Sequence, residues 1–310
     1  MTRNYLKRLN VDWIVNHSTN PFVVGIGTFL CPVWLHKRFF LPNLSKQLGW
    51  KNKLACLTIS FDCDYPRDAE ALPQVLKILA RYPFKATFAC VGHWIEKYPV
   101  EHKLIIDHGH EVMNHTYSHP DNEILNPGRK FRYISRQDKI DEIKRCHDIC
   151  RNILRVAPTG CRIPHFKSLF SSDIYSILKQ VGYEYSSSTW LTNTYSNGMP
   201  FTAEDEIVEF PVTTCPKHPF TVFDTWHSLN SPRMLYKIGH RSVQEYIALT
   251  KYLVRLAVET NSYINIYIDP FDVINMPGFN DLLSYINSYR DSLEVLTYAE
   301  IMERMKKGYN

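Results

Sequence analysis

The sequence predicts an α/β fold in which parallel strands alternate with helices, and an irregular barrel fits this length better than an open sheet. The main observation is that short apolar stretches alternate with amphipathic ones about seven times after residue 50. The composition, 45% hydrophobic and 22% charged over 310 residues, is that of a globular protein with a sizeable core. In addition, several polar residues follow the predicted strands, where a barrel would carry its site. Alternation alone does not separate a barrel from an open sheet.

The predicted strands are short apolar runs, and the first of them, LACLTISF, is typical of a strand buried on both faces. They cover residues 54–61, 85–91, 111–114, 156–162, 183–187, 206–212 and 263–269. The predicted helices carry apolar residues at intervals of three and four, as at Leu72, Val75, Leu76 and Leu79. They cover residues 69–80, 99–108, 134–154, 172–181, 242–260 and 278–289, with a C-terminal turn at 296–305. Glycines directly follow two of these helices, which favours termination there.

A 15-residue apolar run at 21–35, PFVVGIGTFLCPVWL, lies outside this alternation. A spanning helix needs about 20 apolar residues and Pro32 interrupts the run, so no bilayer-spanning segment is predicted. We expect a buried segment packed on the domain. The alternative is contact with a membrane surface through residues 21–38, with Trp34 and the basic pair Lys37 and Arg38 at the headgroups. Residues 1–50 are therefore predicted to be an N-terminal extension, and residues 51–310 the barrel.

The net charge and the positions of the cysteines limit the possible binding partners and the cellular compartment. The net charge of +5 is spread along the chain without long basic runs, which gives little support for nucleic-acid binding. None of the eight cysteines forms a C-x-x-C pair, and several lie inside apolar runs. Together with the lack of an export signal, this predicts a cytoplasmic protein in a reducing compartment, with peripheral membrane contact as the open alternative.

Acidic and imidazole side chains follow two of the predicted strands. Asp62 and Asp64 follow the first strand, and His115 and His119 follow the third. Two imidazoles and one carboxylate would form an open three-ligand metal site. Taken separately, each pair has a simpler interpretation, because Asp favours turns and two such histidines can lie on the surface.

Two further polar residues follow later strands. Arg162 comes after the fourth strand, where it could hold a carboxylate by paired hydrogen bonds or lie on the surface of a loop. Asp269 comes after the seventh.

These motifs in this order resemble the polysaccharide deacetylase (NodB-homology, carbohydrate esterase family 4) superfamily. The resemblance rests on SFDCD at 60–64, GHEVMNHTYSH at 109–119 and CRIPHF at 161–166. GYEYSS at 182–187 and VEFPV at 208–212 are weaker matches. The D-x-D form of the first motif is similar to the branch that contains peptidoglycan-deacetylase-like and allantoinase-like members.

The resemblance implies a distorted (β/α)7 barrel and a divalent metal ion, usually zinc. It implies that Asp64, His115 and His119 hold the metal, that Asp62 is the general base and that Arg162 orients Asp62. A backbone N–H near Tyr65 would help to bind the tetrahedral oxyanion. Substrate contacts are expected at four residues: Tyr65, Pro164, His165 and Trp226.

The chain departs from the family pattern at the proton donor. Where the family has a histidine after the last strand, this chain has Asp269, and Ser186 stands where many relatives have aspartate. Asp269 could act as an acid only if burial or a neighbouring carboxylate raises its pKa. The possible substitutes are His165, His218 and His227.

The expected function is metal-dependent hydrolysis of the N-acetyl amide of an amino sugar, in a saccharide or a lipid-linked sugar. The alternatives are hydrolysis of a small amide or ureide, as in the allantoinase-like branch, and a catalytically weak sugar-binding relative.

Overall fold

The structure is a computed structural model that describes residues 11–45, 55–166, 170–231 and 241–307. The first residue of the predicted first strand, residue 54, lies outside the described residues.

In the part of the chain that the structure describes, a strongly curled sheet contains a run of parallel strands in the order β10-β1-β2-β3-β4-β5-β7. Their bounds are β1 Ala55–Cys63, β2 Thr87–Cys90, β3 Glu111–Asn114, β4 Gly160–Cys161, β5 Tyr185–Ser186, β7 Val208–Glu209 and β10 Tyr263–Ile268. The short strand β6 (Phe201–Thr202) pairs antiparallel with β7, and β11 (Leu293–Val295) pairs parallel with β1. This arrangement confirms the predicted α/β fold.

The ends of this sheet approach each other without a strand ladder among the described residues. The Thr213 N–H donates a hydrogen bond to the Asn265 carbonyl at 2.8 Å, which joins the segment after β7 to β10. A hairpin of β8 (Thr214–Cys215) and β9 (His218–Val222) continues from this point. The sheet is therefore a curled, incompletely closed barrel.

Helices cover the outside of the sheet. They are α1 Val11–Asn16, α2 Pro21–Phe29, α3 Pro32–Phe40, α4 Pro66–Leu79, α5 Gly92–Lys97, α6 Pro99–Asp107, α7 Arg136–Ile149, α8 Ile174–Gln180, α9 Val243–Thr260, α10 Pro270–Ile274, α11 Phe279–Ser288 and α12 Tyr298–Lys306. Helix α4 buries the predicted stripe of Leu72, Val75, Leu76 and Leu79. Ser135 and Thr297 cap α7 and α12 by accepting a hydrogen bond from a backbone N–H of the first turn.

Three strands are much shorter than predicted. The predicted segments 156–162, 183–187 and 206–212 pair over only two residues each. Pro158 and Pro211 lie within two of these segments, and proline has no N–H to donate to a ladder. Of the remaining residues, Pro158, Ile207 and Phe210 are buried, whereas Ala157, Thr159 and Glu206 are exposed, so the apolar sequence continues beyond the regular hydrogen-bonding pattern.

Residues 21–35, expected to pack on the domain or to contact a membrane surface, form two helices and pack on the barrel only in part. The run divides at Pro32 into α2 and α3, because proline lacks the N–H that a continuous helix would use. Helix α3 buries Leu35, Phe39 and Phe40 against the barrel, whereas much of α2 faces outward. Within the described ranges, no helix combines the length and the apolar character that crossing a membrane requires.

Candidate active site

The carboxylates of Asp62 and Asp64 lie at the carboxyl end of β1. Side chains alternate along a strand, so these two residues share one face and Cys63 occupies the other. His115 directly follows β3, and its N–H donates to the Cys90 carbonyl at 3.1 Å. The loop after it contains Thr116 (φ 63°) and His119 (φ 46°) in left-handed conformations, which turn His119 back toward His115.

Asp64, His115 and His119 converge on one point. One ligand-type atom from each lies within 4.8 Å of the others. Asp64 Oδ1 is 3.1 Å from His115 Nε2, and Asp64 Oδ2 is 3.5 Å from His119 Nε2. The described residues thus contain a candidate metal-binding group made of the three residues expected to hold the metal.

Hydrogen bonding directs the His115 lone pair into this group. His115 Nδ1 lies 2.7 Å from the Arg162 carbonyl, which can only accept, so the neutral imidazole carries its proton on Nδ1 and has its lone pair on Nε2. Burial lowers the pKa of His115, but the Asp64 carboxylate outweighs it and raises that pKa, and a cation bound between the two would remove this effect. His115 Nε2 and Asp64 Oδ1 are buried without a hydrogen-bond partner among the described residues. Unpaired buried polar atoms are costly, and a bound cation would satisfy both.

The charges within the group favour an anionic carboxylate and a neutral His119. Burial raises the pKa of Asp64, but the adjacent His119 and His115 outweigh it and hold that pKa well below its usual range. Burial lowers the pKa of His119 to about 3. A neutral imidazole and an ionised carboxylate are the forms in which these side chains bind metals.

Asp62 is held by Arg162, the contact that the family resemblance implies. Arg162 Nη1 donates to Asp62 Oδ1, and Asp62 Oδ2 lies 3.9 Å from His115 Nε2. One carboxylate oxygen is therefore fixed by the guanidinium, while the other faces the candidate metal-binding group. Burial raises the pKa of Asp62, and the Arg162 charge opposes this shift.

Arg162 is completely buried and uses all three guanidinium nitrogens. Its Nε donates to the Ser187 carbonyl at 3.1 Å. Its Nη2 donates to the hydroxyl oxygens of Tyr298 at 2.7 Å, Ser60 at 3.0 Å and Ser187 at 3.1 Å. The side chain is thereby locked in one orientation.

Asp269 follows β10 and is partly buried at the start of α10. Its backbone N–H donates to Thr225 Oγ1 at 3.1 Å. Burial raises the pKa of Asp269 well above its usual range, and the carboxylates of Asp68 and Asp272 raise it further. Burial, followed by the Asp64 charge, also raises the pKa of Asp68 to about 7.

The backbone N–H expected to help bind the oxyanion near Tyr65 stays a prediction, and the N–H of Tyr65 itself has another partner. The Tyr65 N–H donates to Asp68 Oδ2 at 3.0 Å, which closes the first turn of α4. This donor is already used by a side chain that starts the helix. The partly buried Tyr65 side chain remains beside Asp64, in the next position along the chain.

The other expected substrate-binding residues differ in their exposure. Pro164 is buried. His165 adopts a left-handed backbone conformation, φ 64°, and its ring centroid lies 5.3 Å from that of His119. Trp226 is 38% exposed and packs edge-on against His227, with the ring centroids 4.9 Å apart.

The three histidines considered as substitute proton donors have different partners. His165 Nε2 lies 3.6 Å from Asp121 Oδ2. His218 is buried, with its Nδ1 3.8 Å from Cys215 Sγ. His227 Nδ1 contacts Oδ2 of Asp224 at 2.5 Å, and Tyr267 donates to the same oxygen.

Several residues of the site carry no local sequence signal. Tyr298, in the last helix, also donates to Asn265 Oδ1 at 2.7 Å and so connects Arg162 with β10. Asn122 and Trp94 donate side-chain hydrogen bonds to the Asp64 carbonyl at 2.8 and 2.7 Å. Asp224 could have been found from its spacing of three residues to His227, but only the fold brings Tyr267 to it.

Comparison with known proteins shows which family and which proteins this chain is similar to. Residues 51–186 match the family model described as polysaccharide deacetylase. The chain is 31% identical over 117 residues to a peptidoglycan deacetylase of Helicobacter pylori, covering 38% of this chain and 36% of that protein. The matched stretch therefore spans about a third of the length of that relative.

Solved structures extend the similarity of fold beyond the matched stretch. A Mycobacterium smegmatis protein classed with the polysaccharide deacetylases superposes with a TM-score of 0.64 at 18% identity, covering 85% of this chain and 93% of that one. Puue allantoinase superposes with a TM-score of 0.60 at 11% identity, covering 87% and 97%. Both show a common fold.

Proposed function

We propose that this chain, whose residues 51–186 belong to the polysaccharide deacetylase family, is a metal-dependent hydrolase that removes the N-acetyl group of an amino sugar. The observation that carries the proposal is the convergence of Asp64, His115 and His119 beside an Asp62 carboxylate fixed by Arg162. The relatives named as peptidoglycan and chitooligosaccharide deacetylases support the choice of an acetylated amino sugar as substrate.

The three side chains suit a divalent cation, and zinc suits them best. Two imidazole nitrogens and one carboxylate oxygen leave further coordination positions open, as in catalytic zinc sites. The unpaired, buried His115 Nε2 and Asp64 Oδ1 are the atoms that such an ion would contact. A cation bound there would polarise the acyl carbonyl and lower the pKa of the attacking water.

Asp62 acts as the general base in this proposal. Its Oδ1 is held by Arg162, so Oδ2 is the oxygen left to take the proton of the attacking water. The raised pKa brings Asp62 closer to neutral pH, where a base accepts a proton most effectively. Arg162 is a positioning residue, because it acts through Asp62.

Asp269 supplies the proton to the leaving amine. Its raised pKa, caused by burial and by Asp68, favours the protonated carboxyl that a general acid needs. His227 is the alternative donor, since the buried Asp224 holds its Nδ1 and leaves Nε2 as the second nitrogen. Trp226, adjacent to His227 and partly exposed, offers an aromatic face for a sugar ring.

The N-terminal helices suit contact with an anionic membrane surface. Phe22 and Ile26 lie on α2, and Leu30 directly follows its last residue. These three residues, at intervals of four, are 81%, 58% and 78% exposed. With Phe29 and Trp34 they form what we call the apolar patch, and Arg38 lies 5.8 Å from the Trp34 ring. This combination favours a peripheral protein that reaches a lipid-linked sugar from the cytoplasmic side.

The test is acetate release from four substrate classes: N-acetylglucosamine oligomers, nucleotide sugars, lipid-linked sugars and ureides. We expect acetate from an acetylated sugar, loss of activity on chelation and recovery with Zn²⁺. Asp62→Asn should lower kcat by about 10²–10⁴-fold, because the general base is lost, while metal content stays the same. Bound metal without acetate release would favour a sugar-binding relative, and cleavage of ureides alone would favour the allantoinase-like alternative.

A further inference from the structure

Two cysteines and a histidine form a second cluster on the other face of the strand that carries Asp62 and Asp64. Cys63 of β1 and Cys90 of β2 are register partners in neighbouring parallel strands, so their side chains lie side by side. His102 comes from helix α6, which packs outside the sheet. One ligand-type atom from each of the three lies within 4.8 Å of the others.

The hydrogen bond of His102 fixes which of its nitrogens faces the thiols. His102 Nδ1 lies 2.8 Å from the Tyr98 carbonyl, which can only accept, so Nδ1 carries the proton. Nε2 therefore has a free lone pair, and within the described residues this buried atom has no hydrogen-bond partner. A backbone carbonyl that accepts from the second nitrogen is the usual support of a metal-binding histidine.

Cys90 lies close enough to interact with His102, but its thiol has another hydrogen-bond partner. The Cys90 thiol is directed to the Phe88 carbonyl at a distance of 3.5 Å. Cys63, Cys90 and His102 all have no exposed surface, so bulk water does not reach Nε2. A buried acceptor without a partner destabilises the folded protein. A ligand that contacts all three side chains would remove that cost.

We propose that Cys63, Cys90 and His102 bind one thiophilic metal ion of the zinc and copper(I) class. Two sulfur donors and one imidazole nitrogen are soft ligands that select such ions over Mg²⁺ or Ca²⁺. Binding releases the two thiol protons, and with Zn²⁺ the two thiolates give a neutral complex that an apolar interior accepts. The site would fasten α6 to β1 and β2, and thereby support the strand end that presents Asp62 and Asp64.

Cobalt and zinc distinguish this cluster from the candidate active site. The candidate active site has nitrogen and oxygen donors only, so a sulfur-to-cobalt charge-transfer band in the near ultraviolet can come only from bound thiolates. We expect the full-length chain loaded with Co²⁺ to show this band. We also expect two equivalents of Zn²⁺ per chain after dialysis, or one of Zn²⁺ and one of Cu⁺ when both are supplied under reducing conditions.

Matched variants assign the band to this cluster. Cys63→Ala and His102→Gln should each weaken or abolish it, whereas Cys56→Ala, a buried cysteine of the same strand outside the cluster, should keep it. His119→Ala should lose one equivalent of metal and keep the band. A band without deacetylase activity would retain this proposal and reject the proposed function.

Two results, both obtained with the wild-type chain, would overturn the proposal. One is a folded wild-type chain that binds a single equivalent of metal and shows no sulfur-to-metal band with Co²⁺ or Cu⁺. The other is a disulfide bond between Cys63 and Cys90. The purified chain would then have a mass two hydrogens below the mass calculated from its sequence, reduction would restore the calculated mass, and peptide mapping would place the bond between these two cysteines.

Discussion

Asp269 is the residue whose surroundings most affect the proposed chemistry. Its carboxyl is partly buried, and Asp68, Asp272 and Asp64 all add negative charge around it. Each of these influences favours the protonated form, and none of them can be recognised from the Asp-Pro dipeptide in the sequence. The sequence therefore identifies the residue that we propose as the proton donor, and the fold raises its pKa.

We expect the pH–rate profile to report on Asp269. A general acid is active when protonated, so activity should fall as the pH rises through the raised pKa of Asp269. Asp269→Asn should lower the rate by about 10²–10⁴-fold at pH values below this pKa. It should also remove the decrease of activity at high pH, which we call the alkaline limb of the profile. Asp68→Asn should shift the limb to lower pH, because it removes one of the charges that raise the pKa.

His227→Gln is the matched control for this profile. If Asp269 is the donor, His227→Gln keeps the limb. Loss of the limb in His227→Gln and its persistence in Asp269→Asn would transfer the role to the Asp224–His227 pair. The metal content should be equal in all these variants. A lower rate would then result from the loss of proton donation and not from loss of the metal.

Most residues of the candidate site could be selected from the sequence because they stand in short motifs at strand ends. Asp62, Asp64, His115 and His119 are such residues, and the structure brings them together. Tyr298 could not be selected, since its contact with Arg162 joins residues 136 positions apart. Contacts of that kind depend on the closure of the barrel, which leaves no periodic pattern in the sequence.

Among the elements, β4 and β5 are in unusually close contact at Gly160. A Cβ atom on Gly160 would overlap the ring of Tyr185, a buried residue whose hydroxyl donates to Glu111. The glycine is therefore required for close packing of two neighbouring strands, and its backbone is in no left-handed conformation.

Gly160→Ala should destabilise the protein. Forcing a methyl group into this contact displaces Tyr185 or the strand, which typically costs about 1–3 kcal/mol. The measurement is the free energy of unfolding in urea. Gly25→Ala is the control, because nothing lies within 4 Å of its added methyl and alanine favours the helix. An unchanged free energy of unfolding in Gly160→Ala would show that Tyr185 can move without cost.

Helices and parallel strands could be predicted because each has its own periodicity. Strand length could not, since β4, β5 and β7 leave the ladder after two residues although their apolar character continues. The division of residues 21–35 at Pro32 could be predicted, because proline has no N–H to donate. The exposure of one face of α2 could not, because it depends on how the helices pack.

At the scale of the whole molecule, we expect the apolar patch to determine how much of the protein binds to membranes. Phe22→Ser combined with Leu30→Ser should reduce binding to vesicles of phosphatidylserine and phosphatidylcholine by at least about tenfold, because apolar burial in the interface is lost. Flotation of the vesicles measures the bound fraction.

Val100→Ser combined with Ile124→Ser is the control for this experiment, since these residues are 70% and 59% exposed on other parts of the surface. Binding by this control should equal that of the wild type. Equal binding by the α2 variant and the control would contradict a role for the patch.

The confinement of Arg162 also has a spectroscopic consequence. Arginine side-chain protons usually exchange with water too quickly to be followed at neutral pH, and rotation averages the two ends of the guanidinium. Here every guanidinium nitrogen donates to an acceptor in a region without water contact. Nuclear magnetic resonance should therefore detect separate, slowly exchanging Nε and Nη proton signals from this one side chain. Their positions would report directly on the Asp62 carboxylate, so protonation of the base could be titrated in the intact protein without any substrate.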